Sequence, residues 1–212
     1  MQALWWAEPE RNQVLPLNNR PGHHGDRRYR CERYAYHPGI SSIPEMLAPN
    51  LRNRQFQISA PLHVPADRPC DGIIAAHGGH SGGDALDLAD RRLLYVNNFL
   101  GAQHTTVSAS VELPIGEVLA RATFTPTGRF QGTLELWYGD VPVGRGHIPV
   151  TTPITYGVDP FSVGYQRMTP ISPKLIGPAE IATGVLHHVM IERPARPTAN
   201  RPAEQQAALA KQ

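Results

Sequence analysis

The sequence predicts a mainly β protein, an antiparallel β-sandwich of jelly-roll or concanavalin-like type with a short N-terminal helical stub. Three observations lead there. Pro 21 and Gly 19 in 212 residues leave little room for long helices. Apolar residues recur at period two in several short runs, the pattern of half-buried strands. Turn signals separate these runs at spacings of roughly ten residues, as in sandwiches and closed barrels. Strand–helix alternation, which a parallel α/β sheet requires, is missing.

The elements follow in order. Residues 1–19 carry Leu4, Trp5, Val14 and Leu15 as an apolar face, with Glu8, Glu10 and Arg11 outside, and Pro9 limits any helix there to a turn or two on either side. Two tryptophans on so short a stub need a body to pack on. Residues 20–33, RPGHHGDRRYRCER, read as a basic, solvated linker. The body spans 34–192. Tyr34 to Tyr36 runs into the turn His37-Pro38-Gly39. Phe56, Ile58, Ala60, Leu62 and Val64 alternate as a strand, and Pro61 argues that it is an edge. Gly72 to Ala76 is a short apolar strand, and Ala85–Leu88 with Leu93–Phe99 reads as a hairpin. Thr105–Leu113 and Val118–Phe124 alternate, Thr133–Tyr138 and Val141–His147 form a second hairpin about Gly139-Asp140, and Val185–Glu192 closes the body. The tail 193–212, rich in Pro, Ala and Gln, is expected to be disordered.

Composition excludes several classes. The net charge of +2, from 20 basic and 18 acidic residues, is no nucleic-acid signature. No run approaches a membrane span, and the N-terminus lacks the charged and apolar regions of a signal peptide, so the expectation is a cytoplasmic chain with no nucleic-acid and no membrane partner. Cys31 and Cys70 make neither a disulfide framework nor a zinc site.

The candidate motifs each have a bland reading. Gly78-Gly79-His80-Ser81-Gly82-Gly83 lacks the Lys and following helix of a phosphate loop. Gly79-His80-Ser81-Gly82-Gly83 spells a nucleophile elbow, but a strand follows where the elbow needs a helix, so the segment reads as a bend between strands. His77 and His80 flank the bend and could converge with Asp84 on a metal, whereas His187 and His188 point to opposite faces of an extended run.

Several blocks together resemble the C-terminal region of bacterial-type arylsulfatases. Leu4-Trp5-Trp6-Ala7-Glu8 with Val14-Leu15-Pro16-Leu17 resembles the end of their catalytic domain. Tyr36-His37-Pro38-Gly39, Ile43-Pro44-Glu45, Ala48-Pro49-Asn50 and Asn53-Arg54 resemble the segment that follows it. Gly72 to Gly79 with Gly82-Gly83, and Leu94-Tyr95-Val96-Asn97-Asn98-Phe99-Leu100-Gly101, resemble the heart of their C-terminal β-domain. The match runs in order from about residue 3 to 192. The chain departs from the pattern at His80-Ser81, at Gly164-Tyr165-Gln166, at Pro9 and at Ala89-Asp90-Arg91, where the family has a turn glycine.

The resemblance implies a non-catalytic β-domain, a fragment or separately encoded half of a sulfuric ester hydrolase. The family's formylglycine motif has no counterpart around Cys31, Cys70 or Ser172, and its calcium-ligating Asp and Asn pairs have none either. No catalytic, cofactor-binding or metal residue therefore carries over, and calcium would belong to the missing catalytic domain. The implied partners are such a domain or a second copy, met through the N-terminal stub. The alternative is a free-standing carbohydrate-binding module, with Trp137, Tyr138, Tyr95 and Phe99 as candidate stacking faces. An independently active hydrolase is the third reading.

Overall fold

The computed structural model describes residues 33–45, 47–152, 159–166, 169–171 and 180–194. The helical stub with Trp5 and Trp6, most of the basic linker and the tail from 195 lie outside them. The chain divides into Met1–Cys31 and Glu32–Gln212, and all that follows concerns the second unit.

Eleven strands are present among the described residues: β1 (Arg33–Tyr36), β2 (Phe56–Val64), β3 (Gly72–Gly79), β4 (Gly82–Ala89), β5 (Arg92–Phe99), β6 (Gln103–Ser108), β7 (Gly116–Gly128), β8 (Gln131–Tyr138), β9 (Val141–Ile148), β10 (Phe161–Val163) and β11 (Val189–Glu192). They form a six-stranded sheet, β1-β11-β2-β7-β8-β9, and a five-stranded sheet, β10-β3-β4-β5-β6, antiparallel throughout. One core lies between them. Ile58, Leu62, Ala120, Phe124, Leu134 and Leu136 of the first sheet meet Ile74, Leu86, Leu88, Leu93 and Val107 of the second. The chain is an antiparallel β-sandwich.

The alternation read from the sequence sets this core. Along β8 burial switches at every residue, with Gly132, Leu134, Leu136 and Tyr138 inside and Thr133, Glu135 and Trp137 outside. Two details differ from expectation. The run 105–113 is paired only to Ser108, after which Ala109, Ser110 and Leu113 bond to the backbone of Leu93, Val143 and Arg91. And Pro61 lies on β2, which is flanked by β11 and β7 instead of standing at an edge. The β11 ladder stops at Ser59, and beyond it His187 donates its N–H to the Pro61 carbonyl at 3.1 Å. The missing N–H of Pro61 thus falls in the interruption between that ladder and the isolated Leu62–Leu186 bridge.

The β4–β5 turn explains the absent glycine. Asp90 and Arg91 both hold positive φ, 49° and 57°. Such a two-residue turn favours Asn-Gly. Here the Asp71 carboxylate accepts the N–H groups of Asp90 (3.2 Å) and Arg91 (3.1 Å) and fixes the turn from outside.

Candidate functional site

The glycine segment is a strand, a two-residue turn and a strand. His80 and Ser81 form the exposed tip between β3 and β4. Gly78 and Gly83 face each other across the ladder, and a Cβ on Gly83 would lie 2.2 Å from the His77 carbonyl oxygen. Asn98 ties the bend down: its amide donates to the carbonyls of Gly79, His80 and Ile171, each at 2.9 Å, and its oxygen accepts from Gly101 N at 2.8 Å.

His77 does not join His80. It is 5% exposed, and its Nε2 meets Glu45 Oε2 at 2.5 Å. The other Glu45 oxygen is held by Arg52. Burial pushes the His77 imidazole down to about 4, with the Arg52 charge adding to that and Asp84 opposing it. A neutral ring with its proton on Nε2 donates to Glu45. Asp84, opposite His77 in the ladder, accepts from Asn97 at 2.8 Å. The Thr151 hydroxyl has no protein partner here. It lines a cavity of about 10 Å³ with Arg52, Asp84 and Asn97, room for roughly one water. Apart from the Thr151 hydroxyl the cluster pairs with itself, and the cavity has no space for a substrate. A larger groove of about 340 Å³ lies elsewhere, walled by Pro38, Gly39, Tyr165, Glu180, Gly184 and Leu186. Among the described residues lining it, Glu180 is the one carboxylate, with the Tyr165 phenol the other titratable group. Among the described residues no group of three His, Cys, Asp or Glu side chains could hold a metal ion. Cys70 is a free, buried thiol whose pKa burial raises, while Cys31 lies outside the described residues.

The exposed chemistry sits on the outer face of the six-stranded sheet, and the strand register builds it row by row. One row crosses Met190, Ser59, Arg121 and Trp137. The next crosses Arg33, Glu192, Gln57, Thr123, Glu135 and Arg145. Thr125, Thr133 and His147 form a third. The Arg121 guanidinium stands 5.5 Å from the Trp137 ring centroid, a cation–π pair, and donates to the Gly139 carbonyl at 2.6 Å. Gln57 bridges Ser59 (3.2 Å) and Glu192 (3.3 Å). Farther along, His63 and Glu117 pair across the ladder at 2.8 Å, and His187 reaches the same carboxylate at 3.3 Å. The hydrogen bond from His63 is the main cause that lowers the Glu117 pKa.

Of the four aromatic residues expected as stacking faces, two are corrected by the structure. Tyr95 (4% exposed) and Tyr138 (8%) are core, because their strand positions point inward. The Tyr138 hydroxyl is spent on Leu93 N–H and the Val111 carbonyl. Trp137 and Phe99 remain partly exposed. Sequence reasoning missed the His63–Glu117–His187 group, since its members come from three separate segments. The usable signal was the exposed-side position of His63 on an otherwise apolar alternating strand.

No family model matches the chain, and no curated protein matches it. Solved structures overlap it partly. A heptameric SAP-like pentraxin from Limulus polyphemus is 11% identical, with 77% of this chain and 78% of that one covered and a TM-score of 0.40. Domains LG4–5 of the mouse laminin α1 chain are 15% identical, covering 76% and 39%, with a TM-score of 0.42. The Caenorhabditis elegans galectin LEC-6 is 9% identical, covering 76% and 96%, also at 0.42. Function must be argued from this chain's own surface.

Proposed function

We propose that this chain is a non-catalytic β-sandwich module that binds carbohydrate on the exposed face of its six-stranded sheet. The observation that carries this reading is the pair of adjacent rows holding Trp137 and Arg121 beside Gln57, Thr123 and Glu135. A saccharide ring offers an apolar C–H face and a rim of hydroxyls. An indole supplies the matching flat apolar surface, and amides, hydroxyls, carboxylates and guanidinium groups supply donors and acceptors at ladder spacing. Strand pairing fixes these groups before a ligand arrives, which lowers the ordering cost of binding. The test is titration of the full chain with oligosaccharides, followed by NMR of the Trp137 indole N–H. Trp137→Ala should weaken binding about tenfold, the worth of one good stacking contact. Binding that survives unchanged in Trp137→Ala would move the site off this face.

A second reading is an accessory half of an arylsulfatase-type sulfuric ester hydrolase. It is favoured by where the resembling blocks go. Glu45 of one block pairs with His77 of another, and Ile43 bridges to Phe161, the strand beside β3. Asn97 and Asn98 of a third block hold Asp84 and the glycine bend. Blocks far apart in sequence thus meet at one end of the sandwich. Under this reading a sulfatase catalytic domain, co-expressed with the chain, copurifies with it and brings its own calcium and formylglycine. Failure to copurify would count against it.

A further inference from the structure

We infer that the ligand of the six-stranded face is an uncharged saccharide; the inference rests on the carbohydrate-binding reading above. It follows from how charge is arranged on the rows. Arg33 binds Glu192 through Nε at 2.6 Å. Arg145 lies 3.7 Å from Glu135. Arg121 reaches Asp140 at 3.4 Å while its other bond goes to a carbonyl. Glu117 stands between His63 and His187. Each of the three arginines therefore has a carboxylate beside it, and each of the four carboxylates has a cation or an imidazole.

Exposed pairs of this kind add little to stability, about 0–1 kcal/mol each. Their effect on recognition is larger. An anionic group approaching Arg121 or Arg145 meets the partner carboxylate within the same few ångströms, well inside a Debye length of about 8 Å. Attraction and repulsion nearly cancel, and no long-range steering survives. A sulfate or carboxylate on the sugar would have to break a pair and strand its acid. A neutral hydroxyl needs neither, because paired carboxylates and guanidinium groups keep lone pairs and N–H bonds for it. The same cancellation disfavours amino sugars at Glu192, Glu135 and Asp140, each of which has an arginine beside it.

The test compares neutral oligosaccharides with the same backbones carrying sulfate or carboxylate, titrated against the full chain at about pH 8, where imidazoles are ordinarily neutral. Neutral ligands should bind, and raising the salt from roughly 0.05 to 0.5 M should change their affinity by less than about twofold. Asp140→Asn, which unpairs Arg121, should tighten binding of the sulfated ligand about threefold or more at low salt and leave the neutral one nearly unchanged. Tighter binding of anionic ligands by the unsubstituted chain, lost in salt, would overturn this inference while leaving carbohydrate binding intact. Failure of every saccharide, neutral and anionic, would remove the carbohydrate-binding reading and this inference with it.

Discussion

The outer face of the five-stranded sheet and that of the six-stranded sheet are built from strands of similar length, yet they are opposites. On the first, Ile73, Ala76, Ala85 and Val96 are buried and cluster with Ile171. Asp87 shares that face, opposite Ile73 in the ladder, and is 1% exposed with one carboxylate oxygen unpartnered. On the second, Gln57, Thr123, Thr133, Glu135 and Trp137 are half-exposed, and Leu119 reaches 39%. A sandwich needs only its two inner faces dry. Here the outer face of the five-stranded sheet is dry as well over β3 and β4, and exposed only toward β6, at Thr106 and Ser108. The close packing of the five-stranded sheet makes it the structural half. The polar rows of the other leave their side chains open to solvent.

The largest expected effect tests how tightly the structural half is packed. Gly83 has φ near +155°, and an added Cβ would meet backbone atoms of His77 and Gly78 at 2.2 and 2.8 Å. Backbone cannot give way as a side-chain tip can. Gly83→Ala should cost on the order of 3 kcal/mol or prevent folding, whereas Ser81→Ala, two residues away on the exposed tip, should stay within about 0.5 kcal/mol. Urea denaturation of both variants decides it, and equal losses would contradict the assignment of Ser81 to a bare turn.

A matched pair of truncations compares the faces directly. Ile73→Ala removes a side chain 3% exposed and should cost about 2–5 kcal/mol. Thr133→Ala on the open face should cost roughly 0.5 kcal/mol or less. If the two fall together in chemical denaturation, the outer faces do not differ as described.

The smallest effect is a difference of slopes with pH. Burial raises the Asp87 carboxyl from 3.8 to about 7; a backbone hydrogen bond at Leu88 opposes the shift and the nearby Asp71 charge adds to it. The folded state then binds more protons than the unfolded one between those values, so this group's contribution is lost as pH rises through about 4 to 7. His77 has the opposite sign. Its folded value, about 4, lies below its ordinary 6.5, so its contribution is lost as pH falls through that window. In the unsubstituted chain the two slopes oppose. Asp87→Asn should gain roughly 1–3 kcal/mol at about pH 8 and leave a stability that rises from pH 4 to 6.5. His77→Gln should leave one that falls over about the same range. Melting both variants across this range checks it; identical slopes would mean that neither group is buried as described.

Much of this molecule was legible in the sequence. Period-two alternation located β2 and β7 and named the core residues of β2, because side chains on a strand must point to alternate sides, and the turn at Gly139-Asp140 located the hairpin of β8 and β9. The glycine bend followed from the strand on either side of it, and the apolar run at Gly72–Ala76 marked a short strand, which the structure buries along its whole length. Alternation names two faces, however, and does not say which will be covered. Nothing in the run Ala85–Leu88 marks Asp87 as buried, and only packing on that side made it so. Pro61 reads as an edge, and only the early end of the β11 ladder lets it sit inside a sheet. The rows on the open face were equally hidden. Arg33, Glu192 and Gln57 become neighbours because β1, β11 and β2 pair out of sequence order, and so do His63, Glu117 and His187. Local sequence fixes what each strand presents; the long-range pairing, set by how the whole core closes, decides what stands beside it.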